Sequence, residues 1–324
     1  ALVLEGAGLG APAAGTTGLA LSEVARREQA PDWVVVEASS FQLAGIRTFA
    51  PRIGVVTNLS PDHLDRYPSL EAYYADKARL FENATPESRW VLNGDQAEVL
   101  ALAGDAPGTR YLFRVHGALG AGELGAWVSD AGVLTVRTEG GEAALIEAGE
   151  LSLLGEHNRA NALAASLAAV LAGAPVEAVR EGLRTFRALP HRLEPVAERG
   201  GVLWINDSKA TNVDSTLVAV RSMERPTVLL LGGRHKGEPY TSLVPAMAGR
   251  VHTVVAYGEA AGEVEADLGA KVRVGSLAGA AGRRGPPLSG VLELRHVPRL
   301  RGAGPCLHGA RPWGGGPWLG ERRA

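Results

Sequence analysis

The residues best suited to chemistry lie in one short stretch, between positions 51 and 83. The apolar run Ile53–Thr57 predicts a buried strand, and a polar turn that contains His63 follows it. A helix is predicted to begin near Ser69 and to carry Lys77 one to two turns in. This order puts an imidazole at the carboxyl end of a strand and a lysine on the next helix, where α/β proteins bind ligands. A histidine and a lysine grouped with two aspartates suit metal and phosphate chemistry.

A carboxylate ends the preceding predicted strand, Trp33–Val36, at Glu37. A carboxylate in that position is costly unless it is paired or holds a cation. One interpretation makes Glu37 a ligand of Mg²⁺, directly or through water, beside a nucleotide. The other makes residues 37–42 a helix-capping cluster, and the residues alone support both interpretations equally.

Two asparagines, Asn158 and Asn161, precede the predicted helix Ala162–Leu171. Their spacing of three places them on one helix face. Amide side chains offer both donors and acceptors, as the edge of an adenine base requires. Helix capping by Asn158 is the alternative interpretation.

Two loops at predicted strand ends carry charged and hydrogen-bonding side chains. The segment 206–212, NDSKATN, follows the predicted strand Val202–Ile205 and precedes a helix that begins near Val213. Such loops are favoured functional positions in α/β folds, although a solvated loop is the alternative. After the predicted strand Thr227–Leu231, a glycine pair leads to Lys236, which could bind a carboxylate or a phosphate.

Length and composition restrict the class of protein. The chain has 324 residues, enough for two domains, and its 46% hydrophobic and 21% charged residues are typical of a globular protein. A net charge of −2 gives no broad surface for nucleic acid, and no apolar run is long enough to span a bilayer. The single Cys306 excludes an internal disulfide and fits a reducing compartment. We expect a cytoplasmic protein whose partners are neither nucleic acids nor membranes.

The predicted elements indicate two domains and a tail. Strands alternate with helices, which predicts an α/β fold with a parallel sheet. A junction at Pro190-His191-Arg192 divides residues 1–187 from a smaller domain at 188–282. In residues 283–324 the periodicity fades and Gly, Pro and Arg dominate. One possible coding sequence for part of this stretch, when it is read one base later, encodes an amphipathic segment. We therefore expect residues 283–324 to be an off-frame, disordered tail.

Six motifs occur in a fixed order: EASSFQL at 37–43, TNLSPDHLDRYPSLEAYYADK at 57–77, GEHNRAN at 155–161, LPHRLE at 189–194, NDSKATN at 206–212 and LGGRHKG at 231–237. Together they resemble the Mur ligases, and DSKATN and SSFQL resemble the D-glutamate-adding type. The resemblance implies a central ATPase domain, with a mostly parallel sheet and flanking helices, and a smaller Rossmann-like C-terminal domain.

The activity that this resemblance implies is ATP-dependent ligation of D-glutamate to UDP-N-acetylmuramoyl-L-alanine, in cytoplasmic peptidoglycan precursor synthesis. ATP phosphorylates the carboxylate of the nucleotide-linked substrate, and the amine of D-glutamate attacks the acyl phosphate. Negative charge on the phosphoryl oxygens must then be met by Mg²⁺ and by cationic side chains. A monomer is expected.

The resemblance also implies roles for the candidate residues. The catalytic set is His63, Lys77, Arg192 and Lys209. The Mg²⁺ ligands are Glu37, His63 and Lys77, the last as a carbamate because a protonated lysine cannot ligate a metal. The nucleotide-binding set is Asn158 and Asn161 for adenine, Asp207 for the ribose, and Arg192 with Lys209 for the phosphates. The substrate-binding set is Ser39, Gln42, Thr211 and Lys236, of which Lys236 pairs with a carboxylate of D-glutamate.

Some features depart from the family pattern. The glycine-rich phosphate loop that ends in G-K-[ST] is expected just before Ala1, and Thr16-Thr17 stands where an asparagine and an apolar residue are expected. Because such a loop holds the β- and γ-phosphates, we predict no detectable ligase activity for this chain as written. The alternatives are a non-catalytic remnant of such a ligase, another Mur ligase, or a relative of folylpolyglutamate synthase.

Overall fold

The structure is a computed structural model that describes residues 1–61, 66–233, 237–276 and 290–294. Two predicted site residues, His63 and Lys236, lie outside the described residues. Within the described part, no helix combines the length and the apolar character needed to cross a membrane.

The described residues form ten α-helices and fourteen strands, with three short 3₁₀ turns. The helices are α1 Leu2–Gly6, α2 Leu21–Ala25, α3 Ser40–Ala44, α4 Leu70–Ala78, α5 Ala97–Ala103, α6 Glu156–Leu171, α7 Val176–Thr185, α8 Val213–Arg221, α9 Val244–Met247 and α10 Ala261–Leu268. The strands are β1 Ala13–Gly15, β2 Val35–Glu37, β3 Ile53–Val56, β4 Arg89–Asn93, β5 Thr109–Arg114, β6 Gly125–Val128, β7 Val133–Thr138, β8 Gly141–Glu147, β9 Glu194–Arg199, β10 Val202–Asn206, β11 Thr227–Gly232, β12 Val251–Tyr257, β13 Val274–Ser276 and β14 Gly290–Leu294.

The first part of the chain contains a six-stranded sheet in the order β3-β4-β5-β6-β7-β8. Strands β3 to β6 are parallel, and β6, β7 and β8 pair antiparallel. Strands β1 and β2 form a separate parallel pair. No ladder joins β2 to β3 among the described residues, although Arg52 lies over the Trp33 ring at 5.2 Å.

The core of this part explains why its central elements form. The middle of β4, Trp90 to Leu92, is fully buried, as expected for a parallel strand covered on both faces. Helix α6 buries Leu163 and Leu167 completely, four residues apart on one face, against the same core. This packing fixes α6 and therefore the position of its first two turns, which carry the two asparagines.

The second part contains a six-stranded sheet in the order β13-β12-β11-β14-β10-β9. Strands β11, β12 and β13 are parallel, while β14 runs antiparallel to both β10 and β11. Strands β10 and β11 consequently point the same way. The loops that follow them, including residues 206–212, therefore emerge at the same edge of the sheet.

Residues 290–294 of the predicted tail form β14, which pairs with β10 on one side and β11 on the other. The sequence did not predict this strand. The segment contains no proline, and the open edges of β10 and β11 offer backbone partners on both sides. The rest of 283–324 lies outside the described residues.

The predicted α/β class is confirmed, with mixed sheets in place of a parallel one. Helix α7 ends at Thr185 and β9 begins at Glu194, so the predicted division between residues 187 and 188 falls in the connection between these elements. That division and the tail boundary stay predictions.

Candidate active site

Glu37 is exposed at the carboxyl end of β2 and is in contact with a hydroxyl. The β1–β2 register pairs Gly15 with Glu37, and this places Thr17 so that its Oγ1 donates a hydrogen bond to the Glu37 carboxylate. Gly15 has φ +108°, and a Cβ there would lie 2.2 Å from the Glu37 carbonyl oxygen. Only glycine fits that approach, so the local sequence sets the Thr17–Glu37 contact.

Ser39 and Gln42 form a capping box at the start of α3. The Gln42 backbone N–H donates to Ser39 Oγ over 3.3 Å, and the Ser39 N–H donates to Gln42 Oε1 over 2.9 Å. The Thr16 hydroxyl also donates to Gln42 Oε1 over 3.0 Å. The capping interpretation is thus confirmed for Ser39 and Gln42, while Glu37 lies outside the capping box.

Lys77 is linked to this region by a row of aromatic rings. Phe41 of α3 stacks on Tyr67 with ring centroids 5.3 Å apart, and Tyr67 lies 5.2 Å from Tyr73. Lys77 Nζ is 4.9 Å from the Tyr73 ring centre, and the Tyr67 hydroxyl donates to Asp76 over 2.9 Å. The row brings α3 and α4 together and so links Lys77 to the helix that follows the Glu37 strand end.

The two asparagines lie inside α6, because the helix begins at Glu156 with Gly155 as its N-cap. Asn158 donates from Nδ2 to the Leu154 carbonyl over 2.7 Å and is not the N-cap, so the capping interpretation of Asn158 is wrong. That hydrogen bond fixes the amide against the turn before the helix. Asn161 is exposed on the next turn of the same face.

Asp207 is the buried carboxyl of the second part of the chain, with 7% of its surface exposed. Its Oδ1 accepts the Leu193 N–H over 3.0 Å. Burial raises the pKa of Asp207, and the Leu193 N–H and the Arg192 charge oppose that rise. Arg192 precedes Leu193 in the chain, and its side chain is exposed.

The turn that holds Arg192 is tied to the loop after β10. His191 and Leu193, on either side of Arg192, both have positive φ, at 68° and 42°. The Lys209 N–H donates to the His191 carbonyl over 3.0 Å, and Asn206 Nδ2 lies 2.9 Å from His191 Nδ1. Two left-handed residues within three positions are costly and are sustained here by these hydrogen bonds. Arg192, Asp207 and Lys209 are therefore brought together.

Thr211 lies just before α8, beside the segment that follows β11. Asn212 caps the helix by accepting the Ser215 N–H over 2.8 Å. Glu238 accepts the Val213 N–H over 3.0 Å, so residues 237–238 reach the same helix end as Thr211. The neighbouring Lys236 lies outside the described residues, and its role stays a prediction.

The predicted site residues thus fall into groups. One contains Glu37, Ser39, Gln42 and Lys77, and another contains Arg192, Asp207, Lys209 and Thr211. Asn158 and Asn161 stand on α6, apart from both. His63 lies outside the described part.

The possible metal ligands near Glu37 are oxygen atoms. The described residues contain no cluster of three or more His, Cys, Asp or Glu side chains that could hold a metal. Glu37 and Thr17 supply one carboxylate and one hydroxyl. This set fits Mg²⁺, which keeps several waters and is bound through one or two carboxylates together with substrate phosphates.

Comparison with known proteins decides the family. The model of the Mur ligase middle domain matches residues 14–169, and the model of the Mur ligase glutamate ligase domain matches residues 191–286. The chain belongs to the Mur ligase family. Mur ligases are ATP-dependent amide ligases that use Mg²⁺.

Curated relatives point to one type of Mur ligase. The UDP-N-acetylmuramoylalanine–D-glutamate ligase of Anaeromyxobacter dehalogenans is 42% identical over 293 residues, which are 85% of this chain and 62% of that protein. The ligase of the same name from Myxococcus xanthus is 44% identical over 253 residues, 76% of this chain and 54% of that protein. The chain is thus a homologue of the D-glutamate ligases and spans roughly 54–62% of the length of these relatives.

Solved structures of Mur ligases share the fold. A pseudomurein peptide ligase type C from Methanothermus fervidus gives a TM-score of 0.60 at 16% identity, covering 89% of this chain and 66% of that one. A MurF ligase from Thermotoga maritima gives 0.58 at 14% identity, covering 84% of this chain and 66% of that one. These likenesses confirm the α/β Mur ligase fold.

Several residues of the site groups were missed from the sequence. Tyr73 and Lys77 are four apart on one helix, a spacing that could have indicated their contact. Phe41, Tyr67 and Glu238 act through contacts between distant segments, for which the sequence carries no local signal.

Proposed function

We propose that this chain serves the ATP-dependent ligation of D-glutamate to UDP-N-acetylmuramoyl-L-alanine. The observation that carries the proposal is the loop of residues 206–212, which carries Asp207, Lys209 and Thr211 and is hydrogen-bonded to the turn that holds Arg192. The chain is also 40–44% identical to three D-glutamate ligases. Those relatives favour D-glutamate over the amino acids that other Mur ligases add. ATP and a nucleotide-linked substrate are consistent with a cytoplasmic reaction.

Glu37 and Thr17 are the described residues that would hold Mg²⁺. When bound, ATP and Mg²⁺ supply the phosphoryl group and the positive charge that activate the substrate carboxylate. The Thr17 hydroxyl donates a hydrogen bond to the Glu37 carboxylate, so it would have to rotate for its oxygen to face a cation. His63 is the second proposed ligand. Ser39 and Gln42, held by the capping box, would contact the substrate.

Lys77 is proposed to act as a carbamate beside the second Mg²⁺. Its neutral amine would add CO₂ and lose a proton, which turns a cation into an anion. The observed position over Tyr73 favours a positive charge, because the face of an aromatic ring is electronegative. Carbamylation would therefore require Nζ to leave the ring face, and the neighbouring Asp76 adds a further negative charge to be overcome.

The second group would handle the nucleotide and D-glutamate. Lys209 and Arg192 provide positive charge for the phosphates, where charge develops during transfer. The Asp207 carboxyl, fixed by the Leu193 N–H, could accept a ribose hydroxyl through its second oxygen. Thr211 and Lys236 would bind the amino acid, and Asn158 and Asn161 would face adenine. A binding protein without catalysis is the alternative function.

A coupled assay separates these two functions. The chain is mixed with Mg-ATP and UDP-N-acetylmuramoyl-L-alanine, and ADP release is followed with and without D-glutamate. ADP release that needs D-glutamate and is lost in Lys77→Ala supports ligation and overturns the prediction that this chain as written has no detectable ligase activity. Lys271→Ala is the matched control on an exposed lysine. Binding of D-glutamate without any ADP release supports the binding protein.

A further inference from the structure

The first turn of α6 is in direct contact with the carboxyl end of α8. Gly155, the N-cap of α6, has φ +90°, and a Cβ placed there would lie 2.2 Å from Ser222 Oγ and 2.7 Å from Ser222 Cβ. Ser222 is the C-cap of α8. The absence of a side chain at Gly155 is therefore what allows the two helix ends to touch.

Other contacts surround this one. His157 Nδ1 lies 3.4 Å from Ser222 Oγ, and Arg159 lies 3.8 Å from Glu224. Leu154 packs against the core of the second part of the chain, although it precedes α6 in the first part. The hydrogen-bonding distance is long and the ion pair is exposed, so close packing of Gly155 on Ser222 contributes most to the contact.

Helix α8 connects two motifs through this contact. Its nine residues span about 13 Å, with NDSKATN at its amino end and the GEHNRAN turn against its carboxyl end. The same turn holds Asn158, which donates to the Leu154 carbonyl. A shift of Ser222 would displace the first turn of α6, and with it Asn158 and the neighbouring Asn161.

We propose that Ser222 is a positioning residue, which sets Asn158 and Asn161 through Gly155 and couples them to the NDSKATN loop through α8. The proposal rests on the proposed function in one respect, namely that the two asparagines face the nucleotide base.

The test replaces Ser222 by leucine, whose larger side chain must push into the turn. The matched control is Arg221→Leu, which adds an apolar side chain to an exposed position at the same helix end. Amide hydrogen exchange is measured over residues 156–161, and Mg-ATP affinity is measured by calorimetry. We expect exchange roughly tenfold faster and ATP affinity roughly tenfold weaker in Ser222→Leu only, with the same Tm in both variants.

The outcomes separate the proposal from the proposed function. Exchange that stays at the wild-type rate overturns the positioning role, and so does faster exchange with unchanged ATP affinity. The wild-type chain could also bind no ATP. Faster exchange in Ser222→Leu then still supports the positioning of the first turn of α6 by Ser222, while the assignment of the asparagines to a nucleotide fails. If Ser222→Leu does not fold, Ser222→Val is measured in the same way and decides by the same criteria.

Discussion

At the scale of single residues, Asp207 is a carboxyl group buried at a strand end. Burial holds its pKa above the ordinary 3.8. A carboxyl whose pKa is raised on folding contributes stability below pH 3.8, and this contribution is lost as the pH rises through the folded-state pKa. At neutral pH the folded protein therefore carries the cost of a buried carboxylate.

Asp207→Asn should remove that cost while retaining an oxygen that can accept the Leu193 N–H. We expect the variant to be more stable than the wild type at pH 7 by about 1 kcal/mol, with a difference that shrinks as the pH is lowered. Chemical denaturation between pH 4 and pH 8 measures this. Asp130→Asn, at an exposed turn, is the control and should change little. A wild type more stable than Asp207→Asn at pH 7 would contradict the burial argument.

At the scale of elements, β3 is an edge strand of the six-stranded sheet. Its Val55 is 39% exposed, and an open edge with an exposed apolar side chain is a site for unwanted strand pairing. Charged residues on such edges block this pairing, and natural edge strands often carry lysine for that reason.

Val55→Lys should therefore delay aggregation. We expect heated samples of the variant to begin to scatter light only at a higher protein concentration than the wild type does. The free energy of unfolding should change by less than about 0.5 kcal/mol. Val218→Lys makes the same change on helix α8 at a matching exposure of 38%, and should leave the onset where it is. An equal delay in both variants would mean that added charge, not edge protection, is responsible.

The sequence predicted elements best where local signals agree. The apolar run at β3, the Ser69 cap of α4 and the strand before NDSKATN all lie where they were predicted, because burial pattern and capping chemistry act over a few residues. The start of α6 was predicted too late, since its N-cap is a glycine, a weaker signal than Ser, Thr, Asp or Asn. Strand β14 was missed because it depends on the open edges of β10 and β11, which are distant in sequence.

The candidate site was predicted in the same uneven way. Asp207 and Lys209 were selected as charged residues of a loop at a strand end, whereas Arg192 was selected through the family resemblance. Hydrogen bonds of the Leu193 and Lys209 backbone N–H groups bring the two segments together. The left-handed turn at His191 and Leu193 that holds them was not foreseen, because these residue types rarely adopt positive φ. The row from Phe41 to Lys77 was missed because it joins α3 to α4 through tertiary contacts.

At the scale of the whole molecule, the two parts of the chain carry different portions of the proposed chemistry. The first part holds the proposed Mg²⁺ ligand Glu37 and Lys77, and the second holds the cationic residues and Thr211. The contact of α6 with α8 is where these parts meet in the structure. Ligation would need both parts to act on one nucleotide.

Selectivity between the two mirror forms of glutamate tests the central claim most directly, because only a D-glutamate ligase needs it. Binding of D- and L-glutamate is measured by ligand-detected NMR, in the presence of Mg-ATP and UDP-N-acetylmuramoyl-L-alanine, on the wild type and on Thr211→Val. We expect D-glutamate to bind at least about tenfold more tightly than L-glutamate, a difference of about 1.4 kcal/mol, and Thr211→Val to lose the preference. Equal binding of the two forms, or binding of neither, would contradict the proposed function.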